Sequence, residues 1–318
     1  MYYTCSLIVR SFNEEKHIGR LLEGIKKQTL YSETEVILVD SGSTDNTVKI
    51  ALEHGAKVIS IKPEEFSFGR ALNKGCEMAT GKYLLFASAH VYPVYTDWIK
   101  KMIQPFDNKN IALVYGKQIG NEITKYSESQ IFKKWFPDDS NYNQDHPFCN
   151  NANAVVRKEL WLDQPYDETL TGLEDLDWAR KIEQKGHVIA YEADAPIVHV
   201  HEESISKIKN RYMREAIALK KIFPKQHMSL LDFVRLYVAN TFSDFVHARH
   251  DGVLFKNVSE IIRFRYMQFW GTYKGFKHGE VNTRLRQRFY YPNGLRKSST
   301  EERENAEKIV YLKGNHAG

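Results

Sequence analysis

Cysteine is scarce in this 318-residue chain: Cys5, Cys76 and Cys149 lie far apart and form no Cys-x-x-Cys pair. Their odd number and wide spacing exclude a disulfide framework and a cysteine zinc site, and they fit a reducing compartment. Long apolar runs are missing too. No stretch approaches the ~18 apolar residues of a membrane span. The opening "MYYTCSLIVRSFNEE" has no basic segment followed by an apolar core, as a secretory signal would, so a cytoplasmic location is expected. Internal repeats and low-complexity tracts are absent. What is present is 42% hydrophobic and 13% aromatic content, ample for a buried core in one large domain with an appendage, or in two domains.

Charge is uneven. Residues 1–200 carry 23 Lys and Arg against 28 Asp and Glu, whereas residues 201–318 carry 22 against 12. The basic end is suited to an anionic partner such as phospholipid, nucleic acid or a phosphorylated substrate; an ordinary solvated basic face is the other reading.

The first hundred residues alternate strand and helix. "CSLIVRSF", "EVILVD", "KVISI" and "KYLLFAS" read as strands. Between them lie a helix with Ile18, Leu21, Leu22 and Ile25 at helical spacing after a cap at Asn13, then "TVKIALEHG" capped by Asp45, then "FGRALNKGCEMATG". The alternation predicts a mostly parallel sheet, with ligands bound at the carboxyl ends of its strands. Phe12, Asn13, Asp40, Ser88 and His90 fall just after strands. From "IALVYGKQIG" onward the pattern is mixed, and "KWFPDDSNYNQDHPFCNNANA" reads as an ordered loop lining a cleft. "GLEDLDWARKIEQKGH" is a helix with acidic residues in its first turn, "VIAYEADAPIVHVH" returns to strand, and the chain beyond residue 203 is helical.

"SLIVRSFNEEKHIGRLLEGI", "VILVDSGSTDNT", "GRALNKGCEMATGKYLLF" and "GLEDLDWARKIEQKG", in that order and spacing, resemble glycosyltransferase family 2 of the bacterial surface-polysaccharide type, over about residues 4–215. The resemblance implies an α/β GT-A fold with a mostly parallel, Rossmann-like sheet over residues 1–204 and a helical C-terminal extension over 205–318. It also implies an inverting enzyme that moves a hexosyl or deoxyhexosyl unit from a nucleotide-sugar donor to a glycan or lipid-linked glycan acceptor. By the same resemblance Phe12 stacks on the base, Asp40 accepts from the base ring, Glu14 approaches the ribose and Arg70 contacts the nucleotide. Glu174 and Asp175 form the acidic pair, with Asp175 the general base on the acceptor hydroxyl. Members usually hold a divalent cation, Mn2+ or Mg2+, through an Asp-x-Asp motif after the fourth strand. Here that place reads Ser88-Ala89-His90. His90 takes the last position, and His199 and His201, which alternate on a strand and so share a face, complete a metal set. The alternative is a metal-independent enzyme in which these histidines, with Arg211 or Arg214, face the leaving pyrophosphate directly.

Farther on, Ile262, Tyr266, Phe269, Trp270, Tyr273 and Phe276 recur at helical spacing beside Arg263, Arg265, Lys274 and Lys277. Such a helix either lies in a membrane interface, giving peripheral contact with the cytoplasmic face of the inner membrane, or packs its aromatics on the rest of the protein. Nucleic acid is not an expected partner. Two other classes fit the residues less well: a sugar nucleotidyltransferase, which needs a glycine- and basic-rich phosphate loop that "VRSFNEE" lacks, and a nonenzymatic nucleotide- or anion-binding protein, which leaves "LEDLD" without a purpose.

Overall fold

The computed structural model describes residues 3–279, 281 and 283–291. The amino-terminal half follows the predicted alternation. β1 (Cys5–Ser11), β2 (Thr34–Asp40), β3 (Lys57–Ser60) and β4 (Tyr83–Ser88) pair in parallel in the order β3-β2-β1-β4, linked by α1 (Ile18–Lys26), α2 (Thr47–Glu53) and α3 (Phe68–Met78). After β5 (Val91–Pro93), α4 (Trp98–Ile103) leads to β6 (Ile111–Ile119) and α5 (Tyr126–Trp135). Then follow β7 (Asn153–Arg157), α6 (Lys158–Asp163), α7 (Glu174–Gln184) and the long β8 (Val188–His199). Together they complete one eight-stranded sheet, β3-β2-β1-β4-β7-β6-β8-β5. Its far half is mixed: β7 runs antiparallel to both β4 and β6, and β5 antiparallel to β8, while β6 and β8 are parallel.

Strand alternation puts neighbouring residues on opposite faces, and each face has its own core. Ile8, Ile37, Val39 and Phe86 pack with Leu72 of α3 and Trp178 and Ile182 of α7. Leu7, Val9, Leu38 and Leu85 pack with Leu21 of α1, Ala51 of α2 and Trp98 of α4. A sheet covered by helices on both faces exposes its loops at the strand ends, where the polar residues converge.

Asn13 does not cap α1. It has a left-handed backbone, φ 55°, and its Oδ1 accepts from the Thr44 N–H at 2.8 Å, tying the loop after β1 to the turn after β2.

The remaining helices are α8 (Ile205–Ile222), α9 (Leu230–His250), α10 (Leu254–Lys277) and α11 (Thr283–Tyr290). α8 and α10 approach unusually closely. A Cβ on Gly271 would lie 2.5 Å from the Lys209 carbonyl oxygen, and one on Gly275 2.5 Å from that of Met213, so no larger residue fits at either position. The aromatic stripe of α10 turns inward: Phe233 of α9 meets Tyr266, Trp270 and Tyr273 at ring separations of 5.5–6.1 Å, and Tyr237 meets Tyr266 at 5.8 Å. Arg265, expected at a membrane surface, is buried and bidentate to Asp244 at 2.7 and 2.8 Å. These contacts account for part of the stripe by packing. Phe269, Trp270, Tyr273 and Phe276 are half-buried, while Ile262 and Tyr266 keep 39 and 38% exposure.

Candidate functional site

The carboxyl ends of β1, β2 and β4, the start of α7 and the end of β8 place two polar clusters at one edge of the sheet. The first is acidic. Leu173, left-handed at φ 56°, turns the chain into α7, so that Glu174 and Asp175 open the helix. Glu174 Oε1 accepts from Arg10 Nη1 at 2.9 Å. Among the described residues no cation pairs with Asp175. Its Oδ2 accepts from the Asn151 N–H at 3.0 Å and its Oδ1 from the Leu176 N–H at 2.8 Å. Burial, and then the neighbouring Glu174 charge, raise the Asp175 carboxyl to about 7, against the amide bonds and Arg10, which favour its ionised form. Asp177, two residues on, pairs instead with Arg180 and Lys181 at 3.1 and 2.6 Å. Asn151 is buried beside this pair, and neither polar atom of its side chain has a partner among the described residues.

The second cluster is histidine. His90 follows β4, and His199 and His201 lie at the end of β8. Each directs Nδ1 at an oxygen: His90 at Glu14 Oε1 (2.9 Å), His199 at Gln118 Oε1 (2.7 Å) and His201 at Glu128 Oε1 (2.6 Å). Carboxylate and amide oxygens only accept, so each Nδ1 donates. The Nε2 atoms of His199 and His201 then face one another at 2.9 Å, and one nitrogen from each of the three rings falls within 4.8 Å of the others. At that separation the two nitrogens are bridged either by a proton or by a cation. Burial, then His201 and His90, lowers His199 well below the ordinary histidine value, which keeps its ring neutral and able to ligate. Burial works to raise the Glu128 carboxyl, but His201 and Arg211 outweigh it and hold the group down at about 2. The donor set fits a borderline divalent ion: three imidazoles, each oriented by a second-layer acceptor.

The donor-side residues are split. Phe12 does lie at the end of β1, but its ring meets Tyr291 edge to face, 4.7 Å between centroids, and the Tyr291 hydroxyl donates to the Ser41 carbonyl at 3.3 Å. Asp40 serves its own turn: Oδ2 accepts from the N–H groups of Gly42 and Ser43 at 3.0 and 2.9 Å, and Oδ1 from the Ser11 and Ser43 hydroxyls at 3.2 and 2.5 Å. These four donors fix the Asp40 carboxylate in the turn after β2. Glu14 is engaged with His90. Arg70 is 40% exposed and reaches Glu168 only at 3.9 Å, which leaves its guanidinium accessible. Of the two arginines expected at the pyrophosphate, Arg211 is half-buried and paired with Glu128 and Glu203, each at 2.7 Å. Arg214 lies over the Phe68 ring at 4.5 Å, opposite Arg10 at 4.8 Å.

Sequence reading missed Arg10, Gln118, Glu128, Asn151 and Tyr291. Arg10 was within reach, being a cation inside an otherwise apolar strand. Tyr291 was not, because it meets Ser41 across 250 positions of chain.

Residues 6–162 match the family model described as glycosyl transferase family 2. The chain is 26% identical over 220 residues to the O-antigen chain rhamnosyltransferase RfbN of Salmonella typhimurium, covering 65% of this chain and 69% of that protein. It is 22% identical over 250 residues to the glycosyltransferase AglE of Haloferax volcanii, covering 72% and 81%. Among solved structures, the mannosyltransferase PcManGT of Pyrobaculum calidifontis, in complex with GDP-Man and Mn2+, superposes with a TM-score of 0.57 at 16% identity, covering 92% of this chain and 88% of that one. S. aureus TarS 1-349 superposes with a TM-score of 0.52 at 17% identity, covering 85% and 91%. These two likenesses show a shared fold.

Proposed function

The chain belongs to glycosyl transferase family 2 and is a glycosyltransferase of surface-glycan synthesis; from that premise we propose an inverting transfer from a nucleotide-sugar to a surface-polysaccharide glycan with Asp175 as the base. The observation that carries this reading is Asp175 itself: a buried carboxylate oriented by two amides, without an ion pair among the described residues, and with its pKa raised to about 7. A base whose pKa sits near the working pH transfers a proton most effectively.

In this reading Asp175 takes the proton of an acceptor hydroxyl as that oxygen bonds to the anomeric carbon. The bond to the nucleotide diphosphate breaks on the opposite face, and the diphosphate leaves with the electron pair. Arg10 neutralises Glu174 and so keeps a second full negative charge away from the base. Phe12 and Tyr291 form the aromatic side of the donor pocket, Arg70 and Arg214 supply cations for the diphosphate, and the unpartnered Asn151 amide serves a sugar hydroxyl. His90, His199 and His201 would hold a divalent cation, with Glu14, Gln118 and Glu128 fixing the rings; when bound, that ion offsets charge on the leaving diphosphate. PcManGT, of like fold, was solved with Mn2+, which supports the metal part of the reading. We place the catalytic unit at residues 1–204 and the extension at 205–318, and take the acceptor to be a lipid-linked glycan reached by peripheral contact with a membrane. No helix among the described residues is long and apolar enough to cross a membrane.

The test is turnover across a panel of nucleotide-sugars, followed by NMR of the product. One donor is expected to react with inversion at the anomeric carbon. Retention, or nucleotide binding without turnover of any donor, overturns the reading.

A further inference from the structure

The aromatic stripe of α10 packs in part on α9, whose own outer face is exposed. Along α9, Leu231, Val234, Val238, Phe242 and Val246 are 76, 46, 56, 68 and 51% exposed, with Leu230 at 57% beside them. Their spacing sets them within one face of a 21-residue helix. A three-residue turn through Gly252, φ 70°, then brings the chain into α10, where Phe255 is 95% exposed. An apolar face of this length on a well-packed helix pair marks a docking surface.

Its charges identify the occupant. Arg235 and Arg249 fall within the apolar face by helical spacing, both exposed, and the exposed Lys256 follows Phe255. The carboxylates of α9 are held elsewhere: Asp232 accepts from the Ser229 N–H and hydroxyl at the helix start and reaches Arg235 only at 3.6 Å, and Asp244 is buried on Arg265. The turn's Asp251 accepts from the Tyr126 hydroxyl. The face is thus apolar and cationic. A second copy docked on it through a two-fold axis would set arginine against arginine. A layer of lipid phosphates over acyl chains complements both properties.

We propose that α9 lies in the surface of an anionic lipid bilayer, with Leu231, Val234, Val238, Phe242, Val246 and Phe255 at the acyl boundary and Arg235, Arg249 and Lys256 at the phosphates. This deepens the peripheral-membrane reading above and rests on it, so lipid binding and catalysis are scored separately. The full chain is floated with vesicles of about 30% phosphatidylglycerol in phosphatidylcholine, and with phosphatidylcholine alone. Binding to the anionic vesicles is expected to be at least about tenfold tighter. Val238→Asp with Phe242→Asp should abolish it, and Arg235→Gln with Arg249→Gln should remove the preference for anionic lipid. Nucleotide affinity and transfer to a water-soluble acceptor should stay within about twofold in both. Because two aspartates on one helix could impair folding, Phe242→Trp provides an independent reading: brominated acyl chains in the anionic vesicles should quench the emission that this substitution adds. Failure of the wild type to float, unquenched added emission in the Phe242→Trp variant, or a wild-type dimer that the aspartate variant dissociates would overturn the proposal, the last by assigning the face to a second copy. None of these outcomes touches the transferase reading, which stands or falls on turnover.

Discussion

The two polar clusters at the sheet edge are built alike and want opposite things. In each, buried groups are oriented by fixed neighbours: amides for Asp175, side-chain oxygens for the three histidines. The histidine cluster brings two ring nitrogens to 2.9 Å, a spacing that a proton or a cation bridges. The acidic pair has one member neutralised by Arg10 and the other raised to about 7, so what it lacks is a proton to take up. Proximity of like groups therefore does not define a site's chemistry. The identity of the second-layer partner does, because it decides which protonation state is held in place.

Removing the cation is the largest perturbation of this contrast. Exhaustive chelation should abolish transfer and leave Asp175 chemistry without an activated leaving group; restoring Mn2+ should recover the rate better than Mg2+, since imidazole suits the softer ion. A rate unaffected by chelation would turn the histidines into hydrogen-bond donors to the diphosphate. Next comes the base. Asp175→Asn should lower the transfer rate ~10²-fold or more while donor binding stays within a few-fold. For the wild type, a folded value near 7 places the competent carboxylate above that pH, so kcat/KM should climb as pH rises through about 7 and flatten beyond. A rate that stays flat from about pH 5 to about pH 9 would remove Asp175 from the role.

A smaller effect separates orientation from ligation. Glu128→Gln keeps the shape but removes the charge behind His201, and should weaken Mn2+ affinity ~10- to 100-fold by calorimetry. Unchanged affinity would leave Glu128 a structural partner of Arg211 alone. Mildest is the donor side, where Phe12→Ala should weaken nucleotide binding about tenfold through lost stacking, without altering metal affinity.

The sequence reads well where the determinants are local. The strand ends, the "LEDLD" helix start and the alternation that puts His199 and His201 on one face all depend on neighbours a few residues apart. Asp40 is legible only in part, because a carboxylate after a strand serves a ligand or its own turn, and the N–H groups of Gly42 and Ser43 that it accepts from appear only in the folded turn. The α10 stripe is legibly amphipathic, but periodicity cannot say whether lipid or a neighbouring helix covers it. Glu128 is invisible for a related reason: it meets His201 from 73 residues away, across an intervening strand order that no window of sequence encodes.

α5 connects the catalytic edge to the carboxyl-terminal helices. The Tyr126 N–H donates to Glu260 of α10 at 2.7 Å, the Ser127 hydroxyl to Asp244 of α9 at 2.6 Å, and the next residue is Glu128, which orients His201. Chimeras that trade these helices between relatives would therefore alter ion binding unless residues 126–128 travel with them. A truncation that weakened Mn2+ affinity would then report the loss of this support for Glu128 and not the loss of a ligand among the described residues of α9 and α10.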